Sequence, residues 1–203
     1  VEGRFDDARR HCAEATGQMR RNGSLHADGF HGLARLTIEL SQGRTAQAEP
    51  LARALYEMTG PLSTDAWVVT LAAAGRTDEA RRRYSEGAAT PLRPDFFHSV
   101  FATFRAMAVI AVGDRAAAEA LVTDLTPVAG LLAGAASAAL AMQLVAQTLG
   151  ELSAFLGRPP TVRQADARRT PRDDDDLVFE SHGSPSALPA RPARVVAVAV
   201  NTA

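Results

Sequence analysis

Cysteine and histidine are the residue types of this chain that most readily do chemistry, and most of them lie in the first 31 positions. His11 and Cys12 together are the residue types of a thiol nucleophile and its general base. Neighbouring residues on a helix point about 100° apart, so these two side chains cannot pair with each other directly. We therefore expect ordinary helix positions and assign no catalytic residue.

His26, Asp28 and His31 could in principle place three metal-ligating side chains near one turn of a helix. His26 and His31 are five positions apart, however, whereas a spacing of three or four would align them on one face. The pattern is typical of ordinary helix-surface residues. We assign no metal-binding and no cofactor-binding residue to this group, nor to His98 and His182, the remaining histidines.

Two runs of like charge invite a binding role. Four consecutive aspartates at 173–176 could recruit a cation, but their proline-rich context indicates a solvated acidic patch. Arg81, Arg82 and Arg83 suggest a phosphate contact. Because three acidic residues share the same predicted helix, a salt-bridged surface is favoured.

Trp67 and Tyr84 stand out because aromatic residues make up only 5% of the chain. Either could line the concave groove in which helical repeat arrays dock partner segments. Burial between repeats is favoured for both. Tyr84 lies at the position where such helical repeats carry a bulky residue between their helices. As candidate partner-binding residues we take Trp67, Arg81 and Arg82.

The elements that position these side chains are indicated by a recurring phrase, Gly-Arg followed by a helix start and an alanine. Its copies begin at Gly3, Gly43 and Gly75, loosely at Gly113 and, in degraded form, at Gly157. A fixed phrase roughly every 30 to 45 residues is typical of helical solenoids, in which helix pairs bury their apolar faces by stacking. Such arrays bind and relay more often than they catalyse.

Each phrase glycine is expected to end one helix in a left-handed conformation, and the alanine five positions later to lie where two helices touch. Ser63 and Asp95 are the candidate helix N-caps. The predicted helices are 4–21, 26–42, 45–59, 63–74, 77–88, 95–112, 115–125, 131–142 and 144–156. In helix 95–112 an apolar face broad enough for contacts on two sides is expected to lie in the core. Its members are Phe96, Phe97, Val100, Phe101, Phe104, Met107 and Ala108.

Composition limits the possible partners. Of the 203 residues, 46% are hydrophobic, and the net charge of −1 argues against a nonspecific grip on nucleic acid. All 22 basic residues are arginines, so a phosphate loop with its lysine is excluded. One cysteine and a charged start without an apolar leader favour a reducing, cytoplasmic compartment. Because the first phrase begins at once, without a capping helix, we expect a fragment of a longer protein.

The segment 128–146 has only Ser137 and Gln143 as polar side chains and reaches the length of a membrane span. Its small residues and its lack of basic or aromatic flanks favour close packing between helices instead, so we expect no membrane partner. The helical domain is predicted over 1–158. Residues 159–203 hold six of the eleven prolines and no helical period, which indicates a disordered tail or a frameshifted one.

Several motifs in the second half of the chain carry a family resemblance. They are Pro94-Asp95-Phe96-Phe97, Gly113-Asp114-Arg115, Leu125-Thr126-Pro127, Ala133-Gly134-Ala135-Ala136-Ser137, Val145-Ala146-Gln147-Thr148-Leu149-Gly150 and Leu156-Gly157-Arg158. The chain over about 1–158 resembles the tetratricopeptide-like (TPR-like) C-terminal region of large bacterial transcriptional regulators of the SARP and LuxR types. The family often has a Gly-Pro break where this chain has Gln143-Leu144, so one long helix remains an alternative there.

The resemblance implies helical repeats that follow a DNA-binding domain, sense or transmit a signal and mediate self-association. We therefore predict an all-α, TPR-like superhelix of antiparallel helix hairpins with a disordered C-terminal tail. Its expected role is that of a noncatalytic protein-interaction or signal-sensing region of a bacterial transcriptional regulator. The expected partner is a protein or peptide, a second subunit or the regulator's own upstream domains, without direct nucleic-acid contact. The alternatives are a free-standing TPR-like adaptor and, less favoured, an enzyme.

Overall fold

The computed structural model describes residues 4–87, 90–134 and 140–159, and helices account for most of them. The helices are α1 Phe5–Arg21, α2 Ala27–Ser41, α3 Glu49–Thr59, α4 Thr64–Ala73, α5 Thr77–Gly87, α6 His98–Val112, α7 Arg115–Leu125 and α8 Val145–Phe155. Each helix from α1 to α7 packs against the next one in the chain, and α7 packs against α8. In addition α6 packs against both α4 and α8, so α4, α6 and α8 form a row, which we call the central row.

The four phrase glycines within the described residues end helices as the sequence predicts. Gly43, Gly75, Gly113 and Gly157 have φ angles of 71°, 78°, 87° and 75°, in the left-handed region that favours glycine. At Gly75 the turn is closed by two backbone bonds, from the Arg76 N–H to the Leu71 carbonyl (2.9 Å) and from the Gly75 N–H to the Ala72 carbonyl (3.0 Å). This pattern caps the last carbonyls of α4 and reverses the chain into α5.

The alanines five positions after the glycines are buried, again as predicted. Ala8 and Ala48 are 2% and 3% exposed, and Ala80 and Ala118 are fully buried. A methyl group at these positions lets neighbouring helices approach closely, whereas a larger side chain would push them apart. The phrase thus sets both the reversal of the chain and the distance between successive helices.

The core is one continuous cluster that runs from α2 to α8, with a second, smaller cluster between α1 and α2. Phe104 and Val100 are fully buried at its centre, and Phe97 and Phe101 are partly buried against it. The prediction that Phe96 belongs to this core is wrong, because its side chain is 57% exposed. The helix begins at His98, so Phe96 lies in the preceding turn, where the Asp95 carboxylate accepts the Phe97 N–H (2.9 Å).

The predicted helix 131–142 is also wrong. Two short strands, β1 Leu132–Gly134 and β2 Ala141–Leu144, pair in antiparallel fashion there, with Leu132 opposite Leu144. The Gly134 backbone bonds the Ser99 hydroxyl at the start of α6, accepting at 3.0 Å and donating at 3.3 Å. Gly134 lies so close to β2 that an added Cβ would stand 2.5 Å from the Leu140 carbonyl oxygen. These tertiary contacts outweigh the helix preference of the small residues.

The other predicted helices are found with small shifts at their ends. The largest are at α3, which begins at Glu49 rather than 45, and at α6, which begins at 98 rather than 95. Pro50 suits the first turn of α3, where its missing N–H has no partner to lose. Among the described residues no helix is both long and apolar enough to cross a bilayer. The predictions made for 160–203, including the aspartate run, His182 and the disordered tail, fall outside the described residues.

Candidate functional site

Cys12 contacts His31 across the first helix hairpin, a pairing that the sequence did not suggest. The Cys12 Sγ lies 3.4 Å from the Nδ1 of His31, and the Thr16 Oγ1 lies 3.0 Å from the same nitrogen. The Thr16 hydroxyl also donates to the Cys12 carbonyl at 2.7 Å. His11 points elsewhere, with its Nδ1 3.3 Å from Glu14 on the surface, so His11 and Cys12 do not act together.

The electrostatics of this cluster disfavour nucleophilic chemistry. Burial raises the pKa of the Cys12 thiol, although the hydrogen bond with Thr16 opposes that shift. Burial also lowers the pKa of His31, and the positive charges of Arg35 and Arg20 lower it further. A fully buried thiol that stays protonated at neutral pH is a weak nucleophile. The cluster is therefore a polar filling of the small core between α1 and α2.

The position of Cys12 relative to the phrase glycine could have indicated its burial from the sequence. Cys12 follows Gly3 by nine positions, as Ala52 follows Gly43 and Tyr84 follows Gly75. Ala52 is fully buried and Tyr84 is 9% exposed, so this position faces the neighbouring helix in each case. The partner histidine has no such signal, because it belongs to the next helix and depends on the packing of the pair.

The residues considered for a metal do not converge. His26 is exposed at the start of α2, and the Asp28 carboxylate accepts from the Arg20 Nε at 2.9 Å. His31 faces Cys12 instead. In the part of the chain that the structure describes, no three histidine, cysteine or acidic side chains lie close enough to hold a metal ion.

Trp67 occupies a buried position between helices and does not line an open groove. It is 5% exposed, and its Nε1 donates to the Glu49 carboxylate at 2.9 Å. The Tyr56 ring lies 4.9 Å from its ring, and the Arg83 guanidinium lies 4.6 Å above it. Trp67 is thus buried, as the sequence favoured, and its assignment to partner binding stays a prediction.

Arg81 and Arg82 are exposed on α5, as a partner-binding role requires. The Asp78 carboxylate lies 3.9 Å from Arg81, which agrees with the predicted salt-bridged surface. Their assignment to partner binding stays a prediction, and neither lines the groove described below.

Tyr84 ties two helices together through one carboxylate. Its hydroxyl donates to the Asp114 Oδ2 at 2.9 Å, while the Oδ1 accepts the Ala117 N–H at 3.0 Å and caps α7. Burial and the bond to Asp114 both raise the pKa of Tyr84. Because the phenol stays protonated, it remains a donor and fixes the start of α7 against α5.

Asp65 and Arg105 form a buried ion pair that the sequence analysis missed. The Arg105 Nε donates to the Asp65 Oδ2 at 2.5 Å, and its Nη2 donates to the Thr90 carbonyl at 3.0 Å. Burial raises the pKa of Asp65, although Arg105 pulls it in the opposite direction. Each residue is a lone charge in an apolar helical run, and that coincidence is the signal that could have found them. The ion pair therefore joins α6 to α4, and the bond to Thr90 ties the segment before α6 to the same arginine.

An apolar groove crosses the central row. It is open to solvent, has a volume of about 480 Å³ and is lined from the second halves of α4, α6 and α8. Its lining consists of Val69, Met107, Ile110, Glu151, Ala154 and Phe155. The sequence analysis missed these residues because they come from three helices that are distant in sequence.

Glu151 is the charged member of this lining. Its Oε1 accepts from the Gln147 amide at 3.1 Å, and its Oε2 accepts from the Gln143 amide at 3.2 Å. Gln143 lies in β2 and also donates to the Thr148 hydroxyl at 2.8 Å. The strand pair thus holds the carboxylate in place. Across residues 4–87, 90–134 and 140–159, no arginine or histidine lies within ion-pair distance of Glu151.

The wall of the groove on α8 is fixed by arginines of the phrases. Arg115 donates to the Phe155 carbonyl at 3.0 Å and to the Leu156 carbonyl at 2.9 Å, and its guanidinium lies 5.7 Å above the Phe155 ring. Arg158 bonds the Glu119 carboxylate on α7 at 2.5 Å. The end of α8, and with it one side of the groove, is therefore tied to α7.

Comparison with known protein families, with curated proteins and with solved structures gives no match to this chain. A proposal about function therefore begins from the groove, from the buried polar contacts around it and from the repeating phrase. Of these features the groove is the one that is both apolar and open, and it is made by side chains of three packed helices.

Proposed function

We propose that this chain is a noncatalytic binding region that docks a protein or peptide segment in the groove across the central row. The groove carries this proposal, because an open apolar surface made by three packed helices offers burial to a partner's side chains. Partly buried Phe155, Met107 and Ile110 would gain most from being covered.

We extend the proposal to the type of helical array and to the kind of protein of which the chain is a part. The stacked helices with phrase glycines at their ends support a TPR-like superhelix. The resemblance of several motifs to those of large bacterial transcriptional regulators supports a cytoplasmic, signal-sensing or self-associating region of such a protein. The pair of strands at 132–134 and 141–144 departs from that pattern.

The absence of a catalytic role is part of the proposal and rests on the polar clusters. Cys12 and His31 are neutral and turned into a small core, and Tyr84 and Asp114 are occupied in joining α5 to α7. Asp65 and Arg105 neutralise each other. These groups have a structural task, and none of them lines the groove.

Docking would act through differential affinity. A segment that binds the groove better in one arrangement of a regulator than in another shifts the population toward the first, by as much as its two affinities differ. The occupant of the groove would then report the state of the upstream domains or of a second subunit.

The docking proposal is tested with a random peptide library displayed on phage and selected on the purified chain. Ala154→Arg places a large cation in the groove from an exposed position. Ala116→Arg, the matched control, places the same side chain on the exposed surface of α7, outside the groove. We expect selected peptides to lose binding to Ala154→Arg and to keep it on Ala116→Arg. Peptides that bind both variants like the parent chain would contradict docking in the groove.

Sequencing the genomic DNA around this reading frame distinguishes the two hypotheses, a region of a regulator and a free-standing adaptor. An upstream frame that encodes a helix-turn-helix or a phosphate loop would support the regulator. A start codon at Val1 would favour the free-standing adaptor instead. Neither result depends on the outcome of the peptide selection.

A further inference from the structure

We propose that the groove selects a partner segment in which apolar side chains flank one basic side chain, lysine or arginine, that pairs with Glu151. This inference rests on the proposed docking function and names the chemistry of its partner. It follows from the composition of the lining, from the way in which Glu151 is held and from the charge around the ends of the central row.

The first step is the position of Glu151 among apolar groups. The other lining residues are Val69, Met107, Ile110, Ala154 and Phe155, none of which can hydrogen-bond a partner through its side chain. A partner that covered this wall with apolar groups alone would take the charged carboxylate out of water and leave only two neutral amide donors beside it, which is costly. An occupant therefore has to supply a hydrogen-bond donor at this point, and a cationic donor suits a carboxylate best.

The second step is that Glu151 is oriented but not neutralised. The amides of Gln143 and Gln147 each donate to a different carboxylate oxygen, at 3.2 Å and 3.1 Å. Amides carry no net charge, and each carboxylate oxygen can accept a further hydrogen bond. The side chain is thus prepared before binding, so less conformational entropy is lost when a partner pairs with it.

The third step is the charge at the ends of the helices. The groove residues Ile110, Ala154 and Phe155 belong to the last turns of α6 and α8, where the helix dipole is negative. The last turns of α4, α6 and α8, all within the described ranges, contain no basic residue. Arg115, which stands beside the groove, donates to the carbonyls of Phe155 and Leu156, so its positive charge offsets the dipole of α8 but not that of α6. Together with Glu151, the end of α6 therefore favours positive charge from a partner.

The experiment extends the peptide selection to variants of Glu151. The same phage library is selected on the parent chain, on Glu151→Gln and on Glu151→Arg, and peptides are kept only if adding the uncharged Ala154→Gln to the same variant abolishes their binding. Asp124→Asn, which removes an exposed acidic group from α7 away from the lining, is the matched control for the loss of one negative charge. Circular dichroism of each variant verifies that the fold is retained.

We expect the groove-dependent peptides from the parent chain and from Asp124→Asn to be enriched in lysine or arginine next to apolar residues. Glu151→Gln should remove the enrichment, and Glu151→Arg should replace it with aspartate or glutamate. In titration calorimetry a selected peptide should bind Glu151→Gln about fivefold more weakly than the parent chain, and added salt should reduce that difference.

Three results would overturn the inference in distinguishable ways. Groove-dependent peptides without a charge preference, or with an acidic one, would leave docking intact and refute selection through Glu151. A library with no groove-dependent peptide would refute both. Concentration-dependent self-association that Ala154→Arg removes and Glu151→Gln leaves unchanged would assign the groove to a second copy of the chain and equally refute the inference.

Discussion

The first helix hairpin, α1 with α2, and the array from α4 to α8 contain the same repeated phrase, but the residues buried between their helices differ. Between α1 and α2 the separate buried cluster consists of Ala8, Cys12, Ala34 and Ile38, with Phe5 partly buried beside it. Two of its other contacts are polar, from Thr16 and His31. The array instead surrounds Phe104 with a continuous apolar core that extends to α8.

The difference shows how a repeat can keep its geometry while its stability varies. The outer edge of the first hairpin is held by ion pairs, since Glu39 accepts from Arg9 at 3.2 Å and from Arg44 at 2.7 Å. Burial alone would raise the pKa of Glu39, but the bonds from the two arginines outweigh it and lower that pKa. Such half-exposed pairs stabilise weakly. In a stacked array each unit adds its own stability, so we expect the contact between α1 and α2 to open before the array.

The largest expected effect comes from emptying the array's core. Phe104→Ala removes a fully buried ring and should reduce the free energy of unfolding by about 4 kcal/mol. Phe5→Ala, in the partly buried position beside the small cluster, should cost about 1 kcal/mol. Urea unfolding followed by circular dichroism measures both. Equal losses would show that the two regions are equally well packed and would break the comparison.

The buried ion pair is the next largest contribution. Arg105→Met leaves the Asp65 carboxylate buried without its counter-charge and should reduce the free energy of unfolding by about 3 kcal/mol. Arg53→Met, which breaks an exposed pair with Glu57, is the control and should change stability by less than about 0.5 kcal/mol. The same urea titration compares them. A small effect of Arg105→Met would mean that water reaches Asp65.

Two glycines should respond to alanine with opposite signs. Gly113 has a φ of 87° and nothing near its missing Cβ, so Gly113→Ala should destabilise by about 1 kcal/mol through backbone strain alone. Gly17 lies inside α1, where a Cβ would meet only the Arg21 Nη1 at 3.4 Å. Gly17→Ala should stabilise the first hairpin by about 0.5–1 kcal/mol. Hydrogen exchange of the α1 amides should slow in Gly17→Ala, and unchanged exchange would argue against early opening of that hairpin.

The smallest effect expected is a pH dependence confined to the first hairpin. The folded state lowers the pKa of His31 below its ordinary value of 6.5, so just below that pH the unfolded chain binds more protons than the folded one. Stability contributed by His31 is therefore present above pH 6.5 and lost as the pH falls through it. Hydrogen exchange at several pH values should show α1 and α2 opening more readily in acid. His31→Gln should flatten this trend, whereas His11→Gln on the surface should retain it.

Much of the fold could be predicted because its signals are local. A glycine that needs a left-handed conformation and an alanine at a fixed offset mark each helix junction without reference to the rest of the chain. Where the outcome depends on distant contacts, the prediction was wrong: the run around Gly134 becomes a strand, and its backbone bonds Ser99, 35 residues away. Phe96 was missed for a local reason, because α6 begins two residues after it and leaves it in the preceding turn.

The candidate site could be predicted far less well. Trp67 stood out by its rarity, but rarity does not tell whether a residue faces a neighbour or a solvent-filled groove, and here it faces Glu49 and Tyr56. The lining of the groove joins positions from Val69 to Phe155, and only packing shows that they meet. Ion pairs such as Asp65 with Arg105 leave a trace in the sequence, a lone charge in an apolar run, but the trace does not name the partner.

The setting of Trp67 makes the chain its own spectroscopic reporter. Trp67 is the sole tryptophan of the chain, and it is enclosed where α3, α4 and α5 meet, between the first hairpin and the rest of the array. An indole in such surroundings emits at short wavelength and shifts to the red when water reaches it. Its emission should therefore stay unchanged while α1 and α2 fray, and it should shift only when the opening has advanced to the junction of α3 with α4. Intrinsic fluorescence and helix content followed together would then trace unfolding as a front that moves along the chain.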